Sequence, residues 1–342
     1  MALVVDVFNQ NAFGAIEVQE EIVEKIDYKP QLLGALGLFE PIYSRSRTIA
    51  IAAKDRTLTL IPTSADGSPP EELVPQGANV RTFNTVRLAK GSTIFASELA
   101  GVLALPFDQQ TKEITQEVTE RSGQILDDLD LTWEHMRFGA VQGKVLDADG
   151  TTVLVNWYTE WGVSEPAEID FELDDAATDV RKKCRDVKRT MMKESKGVWT
   201  PSTTVVALAG DSFFDKLVNH PQIKETKLGS ERAAALENIE GYSSIDIEGI
   251  TFINYRGTDD GSKLAIGTDK VRFFPRNARG AFKVGFGPAN EFKPYLNRRG
   301  QPYVGLVLAD PSGRDAWDRV EMYSYPLFIC TRPLMLLRGK MQ

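Results

Sequence analysis

The chain has 342 residues, with 40 Lys and Arg against 48 Asp and Glu and a formal net charge of −8. That length can bury a substantial core in one or two domains, and 42% hydrophobic with 26% charged residues is ordinary for a globular protein. The negative balance argues against nucleic acid as an intimate partner, no apolar run approaches the roughly 20 residues that cross a bilayer, and two histidines are too few for a multi-histidine metal site.

The first residues, Met1-Ala2-Leu3-Val4-Val5-Asp6, have no basic flank and too short an apolar run for a signal peptide, so a cytosolic product is expected. From Asn11 to Asp27, Ile16, Ile22, Val23 and Ile26 recur near helical spacing over an acidic face, which predicts a short amphipathic helix. Pro30 stops it, because the residue before proline avoids the α region. With Gly34 and Gly37 behind it, this stretch reads as a loosely structured arm or as a helix docked on its own domain. Residues 48–62 then alternate like a strand pair, a loop composition follows at Thr63–Pro70, and a second alternating run spans Val80–Leu88. A two-stranded ribbon alone is marginal in water, so this one folds back on its own domain or lies on a neighbouring chain.

Asp108–Gln142 holds the strongest helical signal. Ile114, Val118, Ile125, Leu129, Trp133 and Met136 form one apolar stripe, with Glu117, Glu120, Arg121, Asp127 and Asp128 off it. Asp108 suits the N-cap, and Gly123 inside weakens the helix by about 1 kcal/mol relative to Ala. A hairpin is predicted next, from Gly143–Leu146 through the turn Asp147-Ala148-Asp149-Gly150 to Thr151–Tyr158. Asp174–Lys196 reads as a second helix with acids early and bases late, as the helix dipole favours, closed by Gly197. Its basic cluster suggests nucleic acid, but the acidic run Glu168–Asp175 is expected to neutralise it. A buried strand at Thr203–Ala209, a helix from Gly210, and strands at Ile250–Tyr255, Lys270–Phe274 and Ala281–Gly287 complete the reading, with a turn at residues 257–261.

Chemistry-bearing patterns are scarce. Gly210-Asp211-Ser212 lacks the second glycine of a nucleophile elbow. Gly285-Phe286-Gly287-Pro288 has proline where a phosphate loop would donate an N–H, and reads as a turn. Asp147 to Gly150 lacks the remaining ligands of a calcium loop. Asp127, Asp128 and Asp130 read as solvated acids on a helix face, and His135 as a helix-surface or packing residue. Cys184 and Cys330 are expected to be reduced and structural. Trp133 belongs to the core, whereas Trp161, in a predicted loop, suits an interface anchor. No catalytic residue, cofactor or metal ion is expected, and the chain reads as a structural protein, not an enzyme.

The segment Gly37–Pro70, GLFEPIYSRSRTIAIAAKDRTLTLIPTSADGSPP, resembles the N-terminal part of the phage major capsid proteins related to the lambda head protein. The helix-then-hairpin order around Gly143-Lys144 and the ending Pro333-Leu334-Met335-Leu336-Leu337 are similar too, and the likeness runs over roughly residues 5–340. The resemblance implies an α+β fold of the Hong Kong 97 type. It would place an N-arm at 1–45, an extended β loop at 46–98 and a peripheral domain at 99–170 with the spine helix at 108–142. An axial domain at 171–305 and C-terminal strands at 306–342 returning to the peripheral domain would follow. It implies a homo-oligomer of hexamers and pentamers tiling an icosahedral shell in the virion, made in the bacterial host cytoplasm. The shell would hold double-stranded DNA without sequence-specific contact, and its mildly acidic wall would avoid sticking to it. A decoration or cementing protein, a scaffolding protein and a portal would be partners, with no membrane contact. Phe39, Arg56, Arg81, Phe83, Arg87 and Trp161 are the candidate inter-subunit contacts, with Arg81 and Arg87 read as one parity of a strand. A tail-tube or baseplate subunit is the alternative of the same structural kind, and a β-rich enzyme the alternative of a different kind.

Overall fold

The computed structural model describes residues 32–54, 78–98, 107–224, 237–239, 242–255, 266–314 and 316–342. The predicted helix at 11–27, the tip of the ribbon with Arg56, and the turn at 257–261 lie outside the described residues. In chain order a one-turn helix α1 (Leu32–Ala35) precedes strand β1 (Glu40–Tyr43), the antiparallel pair β2 (Thr48–Lys54) and β3 (Ala78–Asn84), and β4 (Leu88–Phe95). The long helix α2 (Phe107–Val141) comes next, then the hairpin β5 (Lys144–Leu146) and β6 (Val153–Asn156), the short α3 (Trp157–Trp161) and β7 (Ile169–Asp170). Helix α4 (Val180–Glu194), β8 (Thr204–Ala209) and α5 (Asp211–Asn219) follow, with β9 (Glu237–Ile239), β10 (Tyr242–Ile247), β11 (Ile250–Asn254) and β12 (Lys270–Arg276). The chain then adds β13 (Phe282–Phe286), β14 (Val304–Ala309), β15 (Trp317–Ser324), β16 (Pro326–Cys330) and β17 (Leu337–Lys340).

These strands build sheets that interleave distant parts of the sequence. One runs β7-β17-β12-β8-β11-β10-β9, a second β14-β15-β4 and a third β1-β13-β16. Helix α2 has 35 residues and is about 52 Å long, and it behaves as its stripe predicts. Val118, Ile125 and Leu129 pack with Ile94, Val320 and Met322 beneath the sheet β14-β15-β4. One or two turns on, Trp133, Met136 and Val141 join Val284, Phe286, Leu327 and Phe328 of the β1-β13-β16 sheet. A separate core forms where α4 and α5 pack on the seven-stranded sheet, with Val180, Cys184, Val187 and Met191 against Val205, Phe213, Phe252 and Phe273. Cys184 and Cys330 are both buried, in different clusters, as free thiols.

Four expected elements differ from what forms. The run Val80–Leu88 is two strands. Thr85 N–H donates to the Arg47 carbonyl and Val86 N–H to that of Pro326, so over residues 85–87 the chain leaves β2 and joins β15. The second arm of the hairpin ends at Asn156, whose side chain caps Tyr158 N–H and turns the chain into α3. Helix α4 begins six residues later than predicted. Asp175 and Asp179 spend their carboxylates on the amides of Ala177 and Lys182, which makes a turn and an N-cap where helix was expected. Gly285-Phe286 belongs to β13, as the strand expected over Ala281–Gly287 requires, and the turn reading of the same residues fails. The missing side chain makes room for Ile49, since a Cβ on Gly285 would lie 2.1 Å from Ile49 Cδ1 and would push that methyl aside.

Candidate functional site

The ribbon is two-faced at its root. Ile49 and Phe83, directly opposed across β2 and β3, are buried, while Thr48, Ala50, Thr82 and Asn84 on the other face are exposed together with Val80. Phe83 meets the ring of Trp157 edge-on at 5.2 Å and that of Trp161 at 6.2 Å. Trp161 Nε1–H donates to the Cys330 carbonyl at 2.9 Å, and the Arg81 guanidinium sits 5.6 Å above its ring. The inner face of the root therefore closes on its own chain, as one of the two readings of the ribbon required.

A carboxylate clamps the two ends of this root. Arg47, just before β2, and Arg87, between β3 and β4, both reach Glu291, at 3.3 and 2.9 Å. Tyr325 O–H also donates to Glu291. Arg47 lies 4.5 Å over the Tyr325 ring and Arg87 5.0 Å over that of Tyr323. Partial burial pulls the Glu291 carboxyl up, but hydrogen bonds from Tyr325 and Arg87 outweigh it and hold the group below the usual glutamate range.

Two acids in the long helix are buried. Asp130, 7% exposed, accepts from Tyr303 O–H, and the Tyr303 ring stacks on Trp133 at 4.6 Å. Burial pushes the Asp130 carboxyl up to about 6. Glu134, 1% exposed, accepts from Leu33 N–H at 2.7 Å and Gly34 N–H at 3.2 Å, so it caps α1 from outside. Its other partner is Arg137 at 3.2 Å, and burial outweighs these contacts and raises the Glu134 carboxyl.

The six candidate contacts fall as follows. Phe39 is partly buried on Phe282 and Phe328, both rings at 5.3 Å. Phe83, Arg81 and Trp161 meet at the ribbon root, Arg87 is in the Glu291 clamp, and Arg56 lies outside the described residues. Arg87 does not share a strand parity with Arg81, because it follows the end of β3, and Trp161 ends a helix where a loop was expected. Asp130 is not solvated. His135 does pack, with its Nε2 3.0 Å from the Asp147 carbonyl. Sequence reasoning missed Arg47, Glu291, Tyr325 and Glu134. Only the i, i+3 spacing of Glu134 and Arg137 could be read locally; by helical phase Glu134 falls on the side away from the apolar stripe, so its burial against α1 had no signal. Among the described residues no group of three His, Cys, Asp or Glu is arranged to hold a metal ion, and no helix is long and apolar enough to cross a membrane.

The model of the family described as phage major capsid protein E matches residues 18–341. The chain belongs to the phage major capsid protein E family. The major capsid protein of Salmonella phage Felix O1 is 25% identical over 336 residues, covering 88% of this chain and 89% of the relative. The major capsid protein of Pseudomonas phage KPP10 is 27% identical over 206 residues, 54% of this chain and 55% of that one. In fold, the chain is similar to a prophage protein of E.coli CFT073 described as its capsid protein, with a TM-score of 0.54 at 14% identity over 97% of this chain and 98% of the other. The architecture is thus the expected α+β fold of the Hong Kong 97 type, and this capsid protein E family member is a structural protein of the phage head.

Proposed function

We propose that this capsid protein builds the icosahedral head by overlap between neighbours, with copies gathering into hexamers and pentamers around double-stranded DNA. The observation that carries the reading is the ribbon. Its inner face is consumed where Phe83 packs on Trp157 and Trp161 of its own chain, whereas Val80, Thr82 and Asn84 on its outer face are exposed among the described residues. Obligate interfaces bury on the order of 2,000–5,000 Å², which at about 25 cal/mol per Å² is tens of kcal/mol gross, mostly offset by lost freedom. Each contact stays weak enough to correct errors while a closed shell is stable.

In this reading residues 1–45 are an N-arm, 46–98 an extended loop, 99–170 with 306–342 a peripheral domain, and 171–305 an axial domain facing the capsomer centre. Phe39, Arg56, Arg81, Phe83, Arg87 and Trp161 act at subunit contacts. Arg56 pairs across the contact, Arg81, Phe83, Arg87 and Trp161 set the angle at which the ribbon leaves its root, and Phe39 anchors the chain ahead of β1. A scaffolding protein, a portal and a cementing protein complete the particle, which is assembled in the host cytoplasm without any catalytic step by this chain.

Expressing the chain alone and imaging the products by electron microscopy tests the reading. Closed shells are the expected outcome. Open tubes or rings would favour a tail-tube or baseplate subunit, and an inert monomer at every concentration would refute assembly by overlap.

A further inference from the structure

We propose that the outer ridge of α4 is a contact for the phosphate backbone of double-stranded DNA. Helix α4 carries seven basic residues against two acidic ones, in a chain whose net charge is −8. Its buried line is Val180, Cys184, Val187 and Met191. At about 100° per residue, Lys182, Arg185, Arg189 and Lys193 fall within roughly 60° of the opposite direction, so they crown the helix where it is furthest from the core. The four span about 16 Å along the axis.

The acids expected to neutralise this cluster are engaged elsewhere. Glu168 pairs with Lys270 at 3.1 Å, Asp170 with Lys340 at 3.1 Å, and Asp174 with Lys216. Of that run only Glu172 reaches α4, and it takes Lys183 on the flank at 2.7 Å. On the ridge itself, Arg185 is met by Glu248 at 3.4 Å and Asp179 at 3.9 Å, and Arg189 by Asp186 at 3.0 Å. The Arg189 side chain is 71% exposed, and such surface pairs hold weakly enough to yield to phosphate. Lys182 and Lys193 are exposed and hold no ion pair among the described residues.

The shape of the surface selects the partner. Protein interfaces bury an apolar centre from which charge is depleted, and this ridge is convex and charged along its crown. A phosphate track asks only for point charges on flexible stems at a few ångströms' spacing, which Lys supplies without a pocket. This inference rests on the head-shell reading for the identity of the polyanion. It also departs from the expectation that a mildly acidic wall avoids DNA, since the basic residues of α4 give that wall a positive ridge.

The test uses full-length protein and a fluorescent 20-base-pair duplex of mixed sequence, with anisotropy followed from 25 to 200 mM salt. The Lys182→Gln/Lys193→Gln variant is expected to lower the slope of log affinity against log salt by about 1.8, at roughly 0.9 for each phosphate no longer neutralised. Lys283→Gln/Lys293→Gln, which removes the same charge away from α4, is expected to leave the slope in place. No binding by the unmodified chain at 25 mM salt, or equal slopes in the two variants, would overturn the proposal. So would binding of polyglutamate, but not of the duplex, that depends on Lys182 and Lys193; it would assign the ridge to an acidic protein. Micrographs of the unmodified chain taken in parallel separate the two readings. Shells without ridge-dependent binding sink this proposal alone, and absence of shells sinks the shell reading whatever the duplex does.

Discussion

Asp130→Asn offers a sharp test of the packing around the long helix. The aspartate is 7% exposed, and burial raises its carboxyl from 3.8 to about 6 despite the hydrogen bond from Tyr303 and the nearby charge of Arg137. A folded-state value above the unfolded one means the native state binds the extra proton. Stability from this group is therefore fully present below about pH 4 and is lost as pH rises through 6. At pH 8 the ionised form costs on the order of 3 kcal/mol relative to the unfolded chain, at about 1.4 kcal/mol per unit. Asparagine keeps an acceptor for the Tyr303 hydroxyl and carries no charge. The variant should be more stable than the parent by about 1–3 kcal/mol at pH 8, the lower end applying if Arg137 misses its neighbour, with the difference vanishing near pH 4. Urea unfolding of dissociated subunits at both pH values measures this, and taking the variant-minus-parent difference removes the titration of other carboxylates. A variant less stable than the parent at pH 8, or a difference that does not change with pH, would refute the argument.

Glu134→Ala should cost about 3–5 kcal/mol, because it strands the amides of Leu33 and Gly34 and leaves Arg137 without its counter-ion; thermal melting and faster proteolysis around Leu32–Gly37 would register it. Phe83→Ala should lower the urea midpoint by an amount equivalent to about 3–5 kcal/mol, since the ring fills the space between Trp157 and Trp161. Two glycines should respond in opposite directions in the same assay. A Cβ on Gly300 would lie 2.0 Å from the Phe286 carbonyl oxygen, so Gly300→Ala is expected to destabilise by more than about 2 kcal/mol, whereas Gly123→Ala, with open space around it in mid-helix, should stabilise by roughly 0.5–1 kcal/mol. Glu291→Gln should accelerate amide hydrogen exchange in β2 and β3 by loosening the clamp on Arg47 and Arg87.

Periodic features were legible in advance. The stripe from Ile114 to Met136 marked α2 and the side it buries, and the alternation from residue 48 marked β2 as a strand. What could not be read were partnerships across long separations. Glu291 lies 244 residues from Arg47 and 204 from Arg87, and nothing near any of the three announces the meeting. Local competition misled in the other direction. Asp175 and Asp179 look like the first turn of a helix by composition, yet their carboxylates bond nearby amides in a turn and delay the start to Val180. The run Val80–Leu88 kept a strand's alternation while its pairing partner changed from β2 to β15, a switch that no single-strand pattern records.

The interleaving of early and late segments bears on how the polypeptide is made. Strand β1 lies beside β13, β4 pairs with β15 alone among the described strands, and β17 sits between β7 and β12. While a ribosome is still adding residue 300, β4 has no neighbour and two sheets stand open, so the nascent product cannot close into its native form. A prematurely terminated product would lack β17 and with it the strand that joins β7 to β12. The three larger sheets can therefore take their native order only after β14 to β17 have been translated.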